Sequence, residues 1–393
     1  MKIVGVIIEY NPFHNGHKYH LEKLKEDTKA DVVVGVMSGD YVQRGEPSIV
    51  NRFLKSEFSL RGGIDLIVEL PSFYSTQSGE VFALGGVGIL KELGVDTIVF
   101  GSESNDIVEL ERIALLGETE EFKLLLKEEL KKGYSYPTSY SNALNLLKID
   151  KKIASNDILG LEYIKARNIL APEIEIKTIQ RINAGYYDST VNENISSATG
   201  VRKKIFKDEQ VGDAVPNFVN DSLLKEQKVR LADYYPYIRY EILNQKNKLI
   251  EIQDVEIGFD NKLFVSAEKN SEFEFFFESL VSKRYTIGRI QRILIHILLN
   301  ITKEMTQNIK YKIPYIRVLG FNSKGQKHLK FLKEGRKERE EAIPIIVGTK
   351  NIKKNLTKEE KEYFDFNEKN SEIYKLISKY EDKKNPIITK EEE

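Results

Sequence analysis

Two clusters of residues in this sequence have types and spacings that could hold a phosphate ester. The first is Tyr10-Asn11-Pro12-Phe13-His14-Asn15-Gly16-His17. It follows Lys2-Ile3-Val4-Gly5-Val6-Ile7-Ile8, an apolar run short enough for a fully buried strand, and precedes Lys18-Tyr19-His20-Leu21-Glu22-Lys23-Leu24, whose apolar spacing is helical. His14 and His17 therefore stand where a buried strand hands over to a helix N-terminus. Free backbone N–H groups and the positive end of the helix dipole favour an anion there. Three residues apart, the two histidines share one helix face. Gly16 lets a ligand approach the backbone, and Pro12 suits a turn where no N–H is needed. The second cluster is Ile195-Ser196-Ser197-Ala198-Thr199-Gly200-Val201-Arg202. Ser196, Ser197 and Thr199 are capping types, Arg202 adds a fixed positive charge, and a helical pattern follows from Lys203. Each cluster taken alone also fits ordinary helix capping. His14, His17 and His20 could offer imidazoles to a metal, but the chain has no cysteine and the sequence places no acidic triad beside them.

Elements that would position these clusters are legible as apolar runs. After the first helix come Asp31–Met37, Ile64–Leu70 and Asp96–Phe100, with a fifth, alternating run at Glu173–Ile179; helical patterns such as Ser78–Leu93 lie between them. Strands alternating with helices predict a Rossmann-like, parallel five-stranded α/β sheet covered on both faces. Ligands of such sheets bind at the carboxyl ends of strands. The segments in that place are Asn11–His17, the loop Ser38-Gly39-Asp40-Tyr41-Val42-Gln43-Arg44-Gly45-Glu46-Pro47, Pro71-Ser72 and Gly101-Ser102-Glu103. Gln43 or Arg44 could pair with an anion or a carboxylate, and Gly101 could present its N–H to a nucleotide; an ordinary surface loop and a turn glycine are the plainer readings. Ser155 or Asn156 suits an N-cap, with contact to a nucleotide as the alternative for Asn156.

The first cluster resembles the H-x-G-H signature of the nucleotidylyltransferase superfamily, in which the histidines hydrogen-bond ATP phosphates and stabilise charge during attack on the α-phosphate. The second resembles the I-S-S-x-x-I-R pattern of the same superfamily. Together with Ser38–Pro47, Asp65–Pro71 and Phe100–Glu103, they make the chain similar to the tRNA(Met) cytidine acetate ligase family over essentially its whole length. Two departures are Asn51-Arg52-Phe53-Leu54-Lys55, where the family tends to have Asp-Lys-Trp, and Gly200-Val201 for Ala-Ile; both leave the phosphate-binding residues intact. The resemblance implies that acetate attacks the α-phosphate of ATP to give acetyl-adenylate and pyrophosphate. The acetyl group then passes to the exocyclic amine of the wobble cytidine of elongator tRNA(Met). It also implies nucleotide contacts from Ile7, Ile8, Glu9 and Tyr10 at the strand end, and from Asn11, Pro12, Phe13, His14, Asn15, Gly16 and His17 in the motif. Lys18, Tyr19 and His20 at the helix start, Gly101, Asn156 and Arg181, and Ser196, Ser197, Thr199 and Arg202 complete that set, with His14 and His17 catalytic. Ser38, Gln43 and Arg44 are the expected contacts to acetate. Mg²⁺ is expected with the triphosphate, held by phosphate oxygens and water.

Composition bounds the remaining classes. With no cysteine, disulfides, thiolate metal sites and cysteine nucleophiles are excluded. The first nine residues do not suit a signal peptide and no apolar run approaches ~20 residues, so a soluble, cytoplasmic protein without membrane attachment is expected. Lys plus Arg and Asp plus Glu are equal at 60 each, but their distribution is uneven. Between Lys283 and Lys333 twelve cations stand against one acid, Glu304. That bias points to a polyanion, with Lys283, Arg284, Arg289, Arg292, Lys324 and Lys327 as candidate tRNA contacts. His296 reads as a satisfied core histidine, and Thr357-Lys358-Glu359-Glu360 as a capping box. The expected division is therefore an ATP-binding domain at 1–205 and a mostly helical, basic tRNA-binding domain at 206–393. A small-molecule adenylyltransferase would use the same two motifs without the basic half, and a non-catalytic RNA-binding protein would not need both motifs.

Overall fold

Each apolar run becomes a strand because its Val, Ile and Leu side chains are covered on both faces of a parallel sheet. The computed structural model describes residues 1–149, 153–181, 197–336, 342–348, 356–380 and 385–389. Its strands are β1 Ile3–Ile8, β2 Val32–Ser38, β3 Tyr41–Val42, β4 Glu46–Pro47, β5 Leu66–Leu70, β6 Thr97–Ser102, β7 Glu175–Gln180, β8 Ile316–Phe321, β9 Ile345–Ile346 and β10 Ile387–Ile388. The main sheet runs β10-β8-β5-β2-β1-β6-β7, with β9 also on β8. β1, β2, β5, β6 and β7 are the five expected parallel strands. β3 and β4 form a separate antiparallel hairpin. The helix Gly79–Glu92 packs on one face beside Ser155–Leu170, and Asn15–Thr28 and Arg52–Arg61 pack on the other.

The second half is helix-rich, as expected, but it also extends the sheet. β8 pairs antiparallel with β5, and β9 and β10 run parallel to β8. Val219 and Leu223 belong to one face's core; Ile309, Tyr315 and Phe364 belong to the other. A third cluster, from Val229 to Ile301 with Tyr41 and Tyr374, is the helical body proper. The expected division at 205/206 thus does not coincide with the packing, because Ile316-Arg317-Val318-Leu319-Gly320-Phe321 finds its partner some 250 residues upstream, beyond the reach of local periodicity. Among the described residues no helix is long and apolar enough to cross a membrane.

What joins the halves is a buried charge cluster at the carboxyl end of β5. Arg52, with no exposed surface, places Nη1 3.1 Å from Glu69 Oε1 and 3.1 Å from Glu368 Oε1. Its backbone N–H donates to Asp40 Oδ1 at 2.8 Å, and Ser371 Oγ donates to Asp40 Oδ2 at 2.8 Å. Arg317 of β8 bonds Glu368 and lies 3.9 Å from Glu69. Burial opposes ionisation of Glu69, but Arg52 and Arg317 hold its carboxyl below the usual range. Arg52→Met would leave Glu69 and Glu368 sharing Arg317 and take the guanidinium away from Asp40, and should cost about 3–5 kcal/mol. Urea unfolding of wild type and variant measures this, and a loss below about 1 kcal/mol would mean the cluster contributes no net stability.

Candidate functional site

At the carboxyl ends of β1 and β6, a cavity of about 1270 Å³ collects residues from both sequence clusters. His14 caps the helix Asn15–Thr28, and His17 lies one turn on. Their rings stack with centroids 3.6 Å apart, and the Tyr10 ring packs on His17 at 4.4 Å. His17 Nδ1 accepts the His14 N–H at 3.3 Å, which leaves Nε2 as the N–H side of that imidazole. Among the described residues, His14 Nδ1 and His20 Nε2 have no hydrogen-bond partner. Burial, with Arg181 nearby, lowers His14 and His20 to about 4. Burial and then His14 itself lower His17 well below its ordinary value. All three imidazoles are therefore neutral at pH 7, and each keeps one N–H for an acceptor such as a phosphate oxygen.

The second cluster approaches from the other side. Ser197 caps the helix Ala198–Ile205 by accepting the Gly200 N–H at 3.1 Å. Arg202 donates to the Asn11 carbonyl at 2.8 Å and pairs with Glu46 Oε2 at 3.3 Å. Ser197, Thr199 and Arg202 line the cavity; Ser196 lies outside the described residues. Gly101 and Arg181 line it together, with the Arg181 side chain lying over the glycine. Asn156 lines it too, but the N-cap of Ser155–Leu170 is Ala154. The capping work expected of Ser155 or Asn156 is done by Glu103, whose carboxylate accepts the Asn156 N–H at 3.3 Å, the Asp157 N–H at 3.1 Å and the Asn156 side-chain amide. A carboxylate from the strand end satisfies two orphan donors at once.

Within Ile7–His20, the residues at the cavity wall are Ile7, Ile8, Glu9, Tyr10, Asn11, His14, Gly16, His17, Tyr19 and His20. Pro12, Phe13, Asn15 and Lys18 lie off it; Phe13 is fully buried, and Asn15 donates to the Asp213 carbonyl. Of the expected carboxylate contacts, Gln43 and Arg44 line the cavity. Ser38 does not: it is fully buried, its hydroxyl 3.4 Å from Glu9 Oε1. Among the described residues no three His, Asp or Glu side chains come together to hold a metal ion.

Distant residues join the site through the β3–β4 hairpin. A Cβ at Gly45, where φ is +75°, would collide with the backbone of Gln291 and Arg292. Gln291 donates to Glu46 Oε1 at 3.0 Å, so one carboxylate ties Arg202 to the helix Ile287–Leu299. Gln291 and Arg292 consequently line the same cavity as His14. No spacing signal relates them to the motifs; Glu46 lay within a loop already singled out, but its partners did not.

The basic segment is divided by the fold. Lys283 and Arg284 are exposed. Arg284 and Arg289 both pair with Glu256, and Arg292 Nε is 3.6 Å from Asp254 Oδ2. Lys324 and Lys327 are exposed on Ser323–Gly335, a helix that begins where Asn322 N–H meets the Asp65 carbonyl, at the amino end of β5. They stand at the opposite end of the sheet from the cavity, so the twelve cations do not share one face. His296 is buried with its ring nitrogens 2.9 Å from the Thr76 carbonyl and 3.2 Å from the Gln253 carbonyl, a core histidine that, when neutral, can donate to one of them.

With this geometry in place, comparison with known proteins decides the family. Residues 1–387 match the HIGH Nucleotidyl Transferase family. A tRNA(Met) cytidine acetate ligase of Fusobacterium nucleatum is 43% identical over 99% of this chain and 99% of its own. The chain belongs to the tRNA(Met) cytidine acetate ligase family. A second member, from Caldicellulosiruptor saccharolyticus, is 43% identical over 85% of this chain and 86% of its own. Among solved structures, Thermotoga maritima TmcAL bound with alpha-thio ATP superposes with a TM-score of 0.87 at 32% identity, covering 99% of this chain and 100% of that one. The acetate ligase family thus accounts for the whole chain, the β8–β10 extension included.

The neutral histidines have a measurable consequence. His14 sits at about 4 in the folded protein against an ordinary 6.5. Between those values the unfolded chain binds a proton that the folded chain does not, so this stability is present above the window and lost as pH falls through it. His14→Asn should therefore lose less stability than wild type between pH 7.5 and pH 5, by on the order of 1–2 kcal/mol. Urea unfolding of both proteins at the two pH values tests this, and equal losses would count against it.

Proposed function

We propose that this chain activates acetate with ATP, giving acetyl-adenylate and pyrophosphate, and then acetylates the wobble cytidine of elongator tRNA(Met). The observation that carries the reading is that the helix starts at His14–His17 and at Ser197–Arg202 meet the helix Ile287–Leu299 at one cavity. Acetate is already ionised and needs no base to attack phosphorus. The work left to the protein is positioning and neutralising charge that grows on the α-phosphate and on departing pyrophosphate. His14 and His17 supply neutral N–H donors and Arg202 a fixed cation. When ATP enters, its phosphates compete with Glu46 for Arg202. Gln43 and Arg44 flank the same space and suit a small carboxylate. Mg²⁺ would arrive with the triphosphate, held by phosphate oxygens and water. A small-molecule adenylyltransferase would have no use for Gln291 and Arg292 at this cavity.

His14→Ala and His17→Ala should each lower acetate-dependent pyrophosphate release about 10²-fold, the usual loss for a transition-state hydrogen-bond donor. Near wild-type release by a folded double variant would sink the phosphate role. For RNA, Lys283 and Arg284 are the exposed members of the basic helix start. Replacing both by alanine should weaken tRNA binding and flatten its salt dependence by about 0.7–0.9 in log–log slope per lost phosphate contact. Filter binding at several salt concentrations reads both. Arg292→Gln, by contrast, should depress adenylate formation as well as transfer, because Arg292 borders the nucleotide cavity.

A further inference from the structure

Five carboxylates line the cavity: Glu9, Glu46, Glu80, Glu118 and Glu162. Four are engaged by cations. Glu46 holds Arg202 at 3.3 Å, Glu80 holds Lys310 at 2.8 Å, Glu118 lies 3.5 Å from Lys123, and Glu162 holds Lys165 at 3.2 Å. Glu9 is different. Among the described residues no cation lies within ion-pair distance of its carboxylate; Lys55 reaches only its backbone carbonyl, at 3.2 Å. Glu9 Oε1 accepts the Gln43 N–H at 2.6 Å and the Ser38 hydroxyl at 3.4 Å. No hydrogen bond from a described residue reaches Oε2, and that oxygen is not sealed from the cavity. The side chain is thus oriented by two neutral donors on one oxygen while the other keeps free lone pairs.

The second half-reaction needs such a group. A cytidine exocyclic amine has its lone pair delocalised into the ring, and it must lose a proton as it becomes an amide. His14 and His20, at about 4, are weak proton acceptors, and burial lowers His17 well below its ordinary value too. Taking the acetyl-transfer reading above as its basis, we infer that Glu9 accepts the proton from the cytidine N4 amine during acetyl transfer. In that step the N4 lone pair adds to the acetyl carbonyl carbon and the carbon–oxygen bond to the adenylate breaks. AMP leaves with that electron pair, and the N4 proton passes to Glu9 Oε2. The neutral carboxylic acid so formed returns its proton to solvent before the next turnover.

The surroundings make this carboxylate more basic than an exposed one. Burial raises Glu9 above the ordinary carboxylate range; the Gln43 N–H, Lys55 on Arg52–Arg61, Arg44 on the hairpin and Arg202 on Ala198–Ile205 oppose that rise. Tyr163 of Ser155–Leu170 also lies within electrostatic reach of it. Glutamine at position 9 can still accept the Gln43 N–H, so Glu9→Gln removes basicity while keeping the bond that orients the side chain.

The test bypasses the first half-reaction. Synthetic acetyl-adenylate and the tRNA transcript are mixed with excess enzyme, without ATP, and transfer is followed in a single turnover. Wild type should transfer with a rate that rises with pH to a plateau. Glu9→Gln should be slower by about 10²-fold or more, as loss of general-base catalysis predicts, with tRNA affinity within twofold and the rise with pH abolished. Glu9→Ala should be equally slow and should recover in added formate, a rescue no structural role explains. Transfer by Glu9→Gln at the wild-type rate, or an alanine variant indifferent to formate, would overturn the proposal. If wild type itself transfers nothing from acetyl-adenylate, the acetyl-transfer reading fails instead.

Discussion

The structure depends on one constraint: Arg52, Arg317, Glu69 and Asp40 are held together with almost no access to water, and the partly exposed Glu368 closes the cluster. Unpaired, any of these groups would be costly to bury. Asp40 follows β2, Arg52 starts the next helix, Glu69 is on β5, Arg317 on β8 and Glu368 on the helix Lys358–Ser378. Satisfying them together brings the carboxyl end of the sheet, the hairpin loop and the last long helix to one place.

From that anchor the hairpin Tyr41–Pro47 extends toward the cavity. Lys55 reinforces it by donating to the Ser38 carbonyl at 2.7 Å and the Glu9 carbonyl at 3.2 Å, tying the ends of β1 and β2. Burial lowers Lys55 to about 8, and the nearby Asp40, Glu9 and Glu69 carboxylates offset only part of that loss of hydration. With the strand ends fixed, Gln43 orients Glu9, Glu46 holds Arg202, and Gly45 admits the backbone of Ile287–Leu299. The cavity and the helix Ile287–Leu299 are neighbours because a glycine leaves room for the contact.

Electrostatics in the cavity follow from the same burial. Three histidines crowd one helix start under a positively charged rim, and each is driven toward its neutral form. Neutral imidazoles held in fixed orientation cost little to reorganise when charge develops nearby, which suits a reaction without an activated protein nucleophile.

Much of this was legible locally. The alternation of apolar runs and helical patterns specified the five parallel strands, and residue type at a strand-to-helix turn marked His14, His17, Ser197 and Arg202 as candidate anion ligands. Composition alone removed thiol chemistry. These are properties of short windows, where side-chain period and capping chemistry act directly. The pairing of β8 with β5, the placing of Lys324 and Lys327 away from the cavity, the use of Glu103 in place of a local cap, and the arrival of Gln291 and Arg292 beside Glu46 were decided by tertiary structure. Each joins residues dozens to hundreds of positions apart. No local pattern encodes which buried charge or strand edge meets which partner; only the packing of the whole chain satisfies them all.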